Sequence, residues 1–178
     1  MKKSDAKNLA GYCGLYCGLC SKYQSQAPSR CVGCRPGEQH AWCSIWNCCA
    51  KKHGFESCAE CGDVFHCPIF VRRKVTEWIP VVDNLRQIQE AGLERWLAGQ
   101  MERQRMLGEL LRNYNEGRSM SFYCKACARM PVHVIRDAVE ESESRIANEG
   151  TDPSDIRAKA KIMKSVINEK AGLSDRYG

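Results

Sequence analysis

Large apolar residues recur at helical spacing only in the second half of this chain. Val81, Val82, Leu85 and Ile88 follow Pro80, a residue suited to a first helical turn, and run up to Gly92. A second stripe, Trp96, Leu97, Met101, Leu107, Leu110, Leu111 and Tyr114, predicts a helix from Leu93 to about Asn113. Asn115 and Gly117 are placed to close it. Residues 118–131 read as an interruption carrying the pair Cys124-Lys125-Ala126-Cys127. A third helix is expected from Val132 to Asn148, burying Ile135, Ala138, Val139 and Ile146 and ending at Gly150. Asp152-Pro153-Ser154-Asp155 then signals a start, with Ile156, Ala160, Met163, Val166 and Ile167 as the core stripe and Gly172 as the stop. The opposite faces of that last helix carry Arg157, Lys159, Lys161, Lys164 and Lys170, the pattern of a solvated surface.

Residues 11–70 have no such period. Gly11, Gly14, Gly18, Gly33, Gly37, Gly54 and Gly62 sit among eleven cysteines, a texture of short loops and single turns. A module this small with few large aliphatics needs covalent or metal staples. The expected architecture has two parts. A cysteine-rich, metal-organised module with little regular structure spans 11–75, and an all-α lobe of about four helices spans 76–178, interrupted at 124–127. No solenoid repeat and no low-complexity tract is present.

Composition then narrows the chemistry. Of 178 residues, 43% are apolar, on the low side for a globular chain, and 27% are charged, which is normal. No stretch approaches the roughly 18 uninterrupted apolar residues of a membrane span. Lys2, Lys3 and Lys7 open the chain with positive charge but no apolar segment follows, unlike a secretory signal. The expectation is a cytoplasmic protein in a reducing compartment, where disulfides rarely persist. Thirteen cysteines, an odd number, also fit a disulfide framework poorly.

The formal charge of +6 is one-sided. Residues 1–75 hold 11 Lys+Arg and 5 Asp+Glu; residues 76–178 hold 16 of each. If eight cysteines ionise around two divalent ions, the module's net charge falls from +6 to +2. Its basic side chains therefore serve to offset metal–thiolate charge, and a nucleic-acid partner is not favoured. No membrane partner is expected, and a protein partner is.

Cys17-Gly18-Leu19-Cys20 and Cys31-Val32-Gly33-Cys34 are two C-x-x-C pairs ten residues apart. Two intervening residues let both sulfurs of a pair reach one ion, so two pairs supply a four-sulfur shell, which zinc takes at about 2.3 Å. Cys43, Cys48, Cys49, Cys58, Cys61 and Cys67 form a second set, from which Cys43, Cys48, Cys58 and Cys61 are one choice of four. Adjacent Cys48 and Cys49 point apart on an extended chain, so one ligand and one bystander are expected. Cys13 and Cys67 are left over. Zinc, two or more ions, is the expected cofactor. Iron–sulfur is the alternative, since all-cysteine shells suit both. Cys13-x-x-x-Cys17-x-x-Cys20 has the spacing of radical S-adenosylmethionine enzymes, yet their large barrel is excluded by length and pattern. Cys67-Pro68 has the ending of bacterial ferredoxin runs.

His40, His53 and His66 lie in the module, where at most one is expected to replace a cysteine; His133 is expected to bond locally at a helix start. Cys124 and Cys127 have three readings: ligands that tie the lobe to the module, a redox dithiol, or buried thiols. Ligation or tethering is the expectation. Phosphate loops, dinucleotide fingerprints and H-E-x-x-H are all absent from the sequence. No catalytic residue is nominated; a non-enzymatic metal-binding protein organising an interaction or regulatory surface is favoured. The alternatives are an iron–sulfur protein in electron transfer or redox sensing, then an enzyme whose site the sequence does not reveal.

The string Tyr12-Cys13-Gly14-Leu15-Tyr16-Cys17-Gly18-Leu19-Cys20, with Cys31-Val32-Gly33-Cys34-Arg35, resembles the opening of a cysteine-rich microbial family catalogued as domain of unknown function 3795. The stretch from Cys43 to Cys61 and Asp63-Val64-Phe65-His66-Cys67 are similar to its second half. Asn84–Ile88, Gly92–Leu97 and the Cys124/Cys127 pair add to the likeness, which spans about Tyr12 to Cys127. That family usually shows Phe-Pro-Cys where this chain has Phe65-His66-Cys67-Pro68. The resemblance implies a metal-binding module and carries no activity with it.

Overall fold

Helix length follows the distribution of large apolar residues. A computed structural model describes residues 3–36, 42–73 and 81–172. Among these the chain is mostly helical and forms no strand; one antiparallel bridge joins Ala10 and Tyr16. None of the described helices is long and apolar enough to cross a membrane. Packing divides the chain into two units, 1–101 and 102–178. The boundary expected at 75/76, like the N-terminal Pro80, lies outside the described residues.

In the first unit, helices before residue 74 are short: α1 (Lys3–Leu9), α2 (Ser21–Gln24), α3 (Ser44–Trp46) and α4 (Pro68–Arg72). Helix α3 runs on into a π-helical turn, Asn47–Lys52. Three 3-10 turns, Cys17–Leu19, Cys58–Glu60 and Val64–His66, complete the segment. Helices this short do not hold themselves together in water. They depend on contacts from elsewhere in the chain, and α5 (Val81–Ala91) supplies several.

Val81 and Leu85 of α5 are fully buried. Gly14 packs directly on them: a Cβ there would sit 3.0 Å from Leu85 Cγ and 3.3 Å from the Val81 carbonyl, and its φ of +86° already requires glycine. Asn84 donates to the Gly14 carbonyl at 2.8 Å, and Gln89 donates to the Ala59 carbonyl at 2.9 Å. Helix α5 therefore grips both the loop around Cys13 and the turn at Cys58–Glu60. After Gly92 (φ +83°), α6 (Leu93–Tyr114) begins, and its Trp96 meets Tyr16 edge-on at 6.0 Å.

The second unit contains the rest of α6, α7 (Met120–Arg129), α8 (Val132–Asn148) and α9 (Ile156–Lys170). Asp155 caps α9 by accepting from the N–H groups of Arg157 and Ala158, both at 3.0 Å. Of its expected stripe, Ala160, Met163, Val166 and Ile167 are buried, whereas Ile156, in the first turn, stays 42% exposed. Buried Ser142 of α8 satisfies its hydroxyl on the Ala138 carbonyl at 2.6 Å.

The main departure from expectation is α7. Residues 118–131 do not interrupt the helices; most of them form a fifth one after residue 76, and Cys124 and Cys127 lie on it. With Tyr123 and Ala126 they are its buried side. Cysteine behaves here as a small hydrophobe, and spacing of three puts both sulfurs on one helical face. Tyr123 donates its hydroxyl to the Tyr114 carbonyl at 3.0 Å, joining α7 to the end of α6. Arg103 donates to the carbonyls of Cys127, at 2.9 Å, and Met130, so a cation closes the C-terminal end of α7. Burial, then the neighbouring Cys124, pushes the Cys127 thiol up to about 12. A thiol so raised is neutral at physiological pH and is a poor nucleophile. The placement matches the buried-thiol reading of this pair.

Native protein should accordingly protect Cys124 and Cys127 from alkylation until it is unfolded by denaturant. Cys127→Ser should cost about 1–3 kcal/mol, from a buried hydroxyl without a partner, and more than Cys127→Ala. Urea unfolding monitored by circular dichroism measures both.

Candidate metal centres

Two of the C-x-x-C pairs share one backbone. Cys17 and Cys58 each open a 3-10 turn after an extended residue, Tyr16 (φ −108°, ψ 107°) and Ser57 (φ −148°, ψ 148°). Cys20 (φ −93°, ψ 132°) and Cys61 (φ −85°, ψ 125°) close those turns by donating to the carbonyls of Cys17, at 3.0 Å, and Cys58, at 3.1 Å. Such a turn brings the two cysteines of a pair back toward one another. Cys67 closes a third 3-10 turn by donating to the Val64 carbonyl at 3.3 Å. The Cys31–Cys34 pair is irregular and turns at Gly33 (φ +98°).

The 58–61 turn is further fixed by a capping box. Ser57 Oγ accepts from the Ala59 N–H at 3.2 Å, while the Glu60 carboxylate accepts from the N–H groups of Ser57 (2.9 Å) and Glu56 (2.8 Å). Its signature, Ser57-x-x-Glu60, is visible in the sequence.

Thiols from distant segments meet in two groups. In the first, the Cys17 thiol donates to Cys34, and Cys31 lies close enough to act on it electrostatically. In the second, the Cys58 thiol donates to Cys49, with Cys13 and Cys67 nearby. Beside this second contact is a cavity of about 30 Å³ whose wall includes five cysteines, Cys48, Cys49, Cys58, Cys61 and Cys67, together with His53. Cys13 is within electrostatic reach of both groups: Cys34 and Cys43 act on it, and it acts on Cys58. Cys43 Sγ accepts a hydrogen bond from Arg73 at 3.2 Å.

Protonation follows from these contacts. Burial pushes the Cys13 thiol up to about 12. Cys17 is raised by its hydrogen bond to Cys34 and then by burial; Cys58 is raised by its bond to Cys49 and then by burial. Cys49, the acceptor, is lowered, mainly by the proton that Cys58 offers it and with some help from Arg35. Thiols raised in this way are protonated at physiological pH, so any metal uptake at Cys13, Cys17 or Cys58 would release protons.

The expected ligands are distributed as follows. Of the first set, Cys17, Cys31 and Cys34 come together, and Cys20 closes the same turn as Cys17. The second set differs from the example chosen from spacing: Cys48, Cys58 and Cys61 line the cavity, but with Cys49 and Cys67, while Cys43 lies apart beside Arg73. Cys48 and Cys49 do not point apart, because 47–52 is a helical turn and not an extended strand. Cys67, left over in the spacing argument, is on the cavity wall. Among the histidines, His53 lines the cavity and stacks on Phe55 at 5.4 Å, His66 and His133 are exposed, and His40 lies outside the described residues.

Among the described residues, no three His, Cys, Asp or Glu side chains converge as ligands of one ion in their present rotamers. The donor set nonetheless fits a thiophilic cation. Two thiol pairs are in contact, five sulfurs edge one small cavity, and no carboxylate shares that wall. What the spacing did not reveal is how the segments are held: by Arg35, by Asn84 and Gln89 of α5, and by the Lys7–Glu56 ion pair at 2.6 Å.

No protein-family model matches the chain, and neither the curated proteins nor the solved structures contain a match to it.

Because the contacts pair specific thiols, oxidation of the folded, reduced chain by a two-electron oxidant such as diamide should link Cys17 to Cys34 and Cys49 to Cys58 first. Mass spectrometry of non-reduced digests reads this out. Dominant linkage within the C-x-x-C pairs instead would contradict the two groups described.

Proposed function

We propose that the cysteine module binds thiophilic metal, most simply two or more Zn²⁺, and that the ions organise an interaction or regulatory surface. The observation that carries this reading is the set of five cysteines around one cavity of about 30 Å³. A cavity of that size holds at least one water-sized occupant, so it has room for an ion. The first ligand set is Cys17, Cys20, Cys31 and Cys34; the second is drawn from Cys48, Cys49, Cys58, Cys61 and Cys67. Bound Zn²⁺ supplies no redox chemistry and serves as a cross-link between thiolates. The resemblance to the cysteine-rich family supports the same ligands and adds no reaction.

The chain's own residues give the surface its character. Trp42, 88% exposed, directly precedes Cys43. Val71, 70% exposed, lies two residues before the Arg73 that donates to the Cys43 sulfur. A large exposed tryptophan is a residue type enriched in protein-binding hot spots. The reading is of a non-enzymatic protein in a reducing, cytoplasmic setting.

An iron–sulfur protein is the second reading. It is favoured by the fifth sulfur at the cavity, one more than a tetrahedral ion takes, and by Cys13 within electrostatic reach of Cys58.

Metal removal tests the structural role. Apparent binding energies of structural zinc are about 10–16 kcal/mol, comparable to or larger than a domain's stability. Chelation should therefore abolish hydrogen-exchange protection across 11–70 while α8 and α9 retain theirs. Full protection of 11–70 after complete metal removal would contradict the proposal.

A further inference from the structure

Arg35 follows the last cysteine of the first group and reaches the segments that carry the second. Its Nε donates to the Ala10 carbonyl at 2.7 Å, in the segment that enters the Cys13 loop. Its NH2 donates to the Glu56 carbonyl at 2.5 Å, two residues before Cys58. The guanidinium lies 4.1 Å from the centroid of the Tyr12 ring. Tyr12 in turn accepts the Cys58 N–H on its carbonyl at 2.8 Å. A continuous path therefore runs from Cys34 through Arg35 to Tyr12 and Glu56, and from both to Cys58.

We infer that Arg35 is a positioning residue that couples the two cysteine groups, so that filling either with Zn²⁺ raises the affinity of the other. This rests on the metal reading above. The physical argument is one of ordering entropy. Fixing Cys34 against Cys17 through an ion also fixes the adjacent Arg35. A fixed Arg35 holds Ala10, Tyr12 and Glu56 in register, so the Cys58 turn is already ordered when the second ion arrives. The cost of ordering is met once and shared, which is positive cooperativity. Only arginine can do this. Its planar fork presents two donors in fixed directions and stacks on an aromatic face; lysine carries the same charge as a single point and does neither.

Competition of the full chain for Zn²⁺ against a chromophoric chelator provides the test. The first group is disabled by the double substitution Cys17→Ser/Cys34→Ser, and the affinity of the second group is read with and without it. In the native background, disabling the first group should weaken the second by a factor of about 5–150, the usual range of coupling between sites. In the Arg35→Lys background the same disabling should leave the second group's affinity unchanged. Tyr12→Phe should keep the coupling and Tyr12→Leu should weaken it, which gives a second reading if Arg35→Lys does not fold. Equal coupling in native and Arg35→Lys chains, or no coupling in the native chain that binds Zn²⁺ at both groups, would overturn the inference. A native chain that binds no Zn²⁺ at all would overturn the metal reading and this inference with it.

Discussion

Residues far apart in sequence meet at the guanidinium of Arg35, and the remainder of the cysteine module is arranged around that meeting. Its helices are one or two turns long, so local propensity cannot hold them. The module also has few large side chains to bury. What remains is a small number of directional contacts across long loops. Arg35 satisfies carbonyls 25 and 21 residues away, and Asn84 and Gln89 reach in from α5 to two more. The Gly14 carbonyl, in a buried bond, would cost about 1–3 kcal/mol if left without its Asn84 donor.

The same scarcity explains the chemistry of the sulfurs. Buried thiols in a low-dielectric interior resist ionisation, and Cys13, Cys17 and Cys58 are all raised for that reason in part. Keeping several of them at the meeting of short loops makes poor use of core space unless something neutralises them as thiolates. A soft cation would do so and would join the loops at once. The positive excess of residues 1–75 then has a local purpose: Arg35 lowers Cys49, and Arg73 donates to Cys43. Neither interaction needs a nucleic acid to explain it.

How much of this was legible in the sequence depends on whether the determinant is local. The helices over 81–91, 93–114, 132–148 and 156–170 were readable because their stripes are periodic and their ends are marked by Gly92, Gly150, Asp155 and Gly172. Helix α7 was missed because Cys124 and Cys127 were weighed as chemistry when they act as apolar positions. The Cys48–Cys49 doublet was misjudged for a similar reason, since an extended backbone was assumed where a π-helical turn forms. Spacing identified each C-x-x-C turn but not which turns meet, and it gave no hint that Cys49 and Cys67 share a wall with Cys61. Arg35 could not have been singled out: its partners are backbone carbonyls and a ring, and no motif records them.

The central claim is that a soft metal ion belongs in this module, and elemental analysis of the native full chain, purified without oxygen, tests it most directly. The account predicts a colourless protein with about two zinc ions per chain, four thiolates to each, whose thiols become titratable only after chelation. Iron with acid-labile sulfide would replace zinc by the cluster reading, and a metal-free chain with all of its module thiols freely titratable would contradict the account outright.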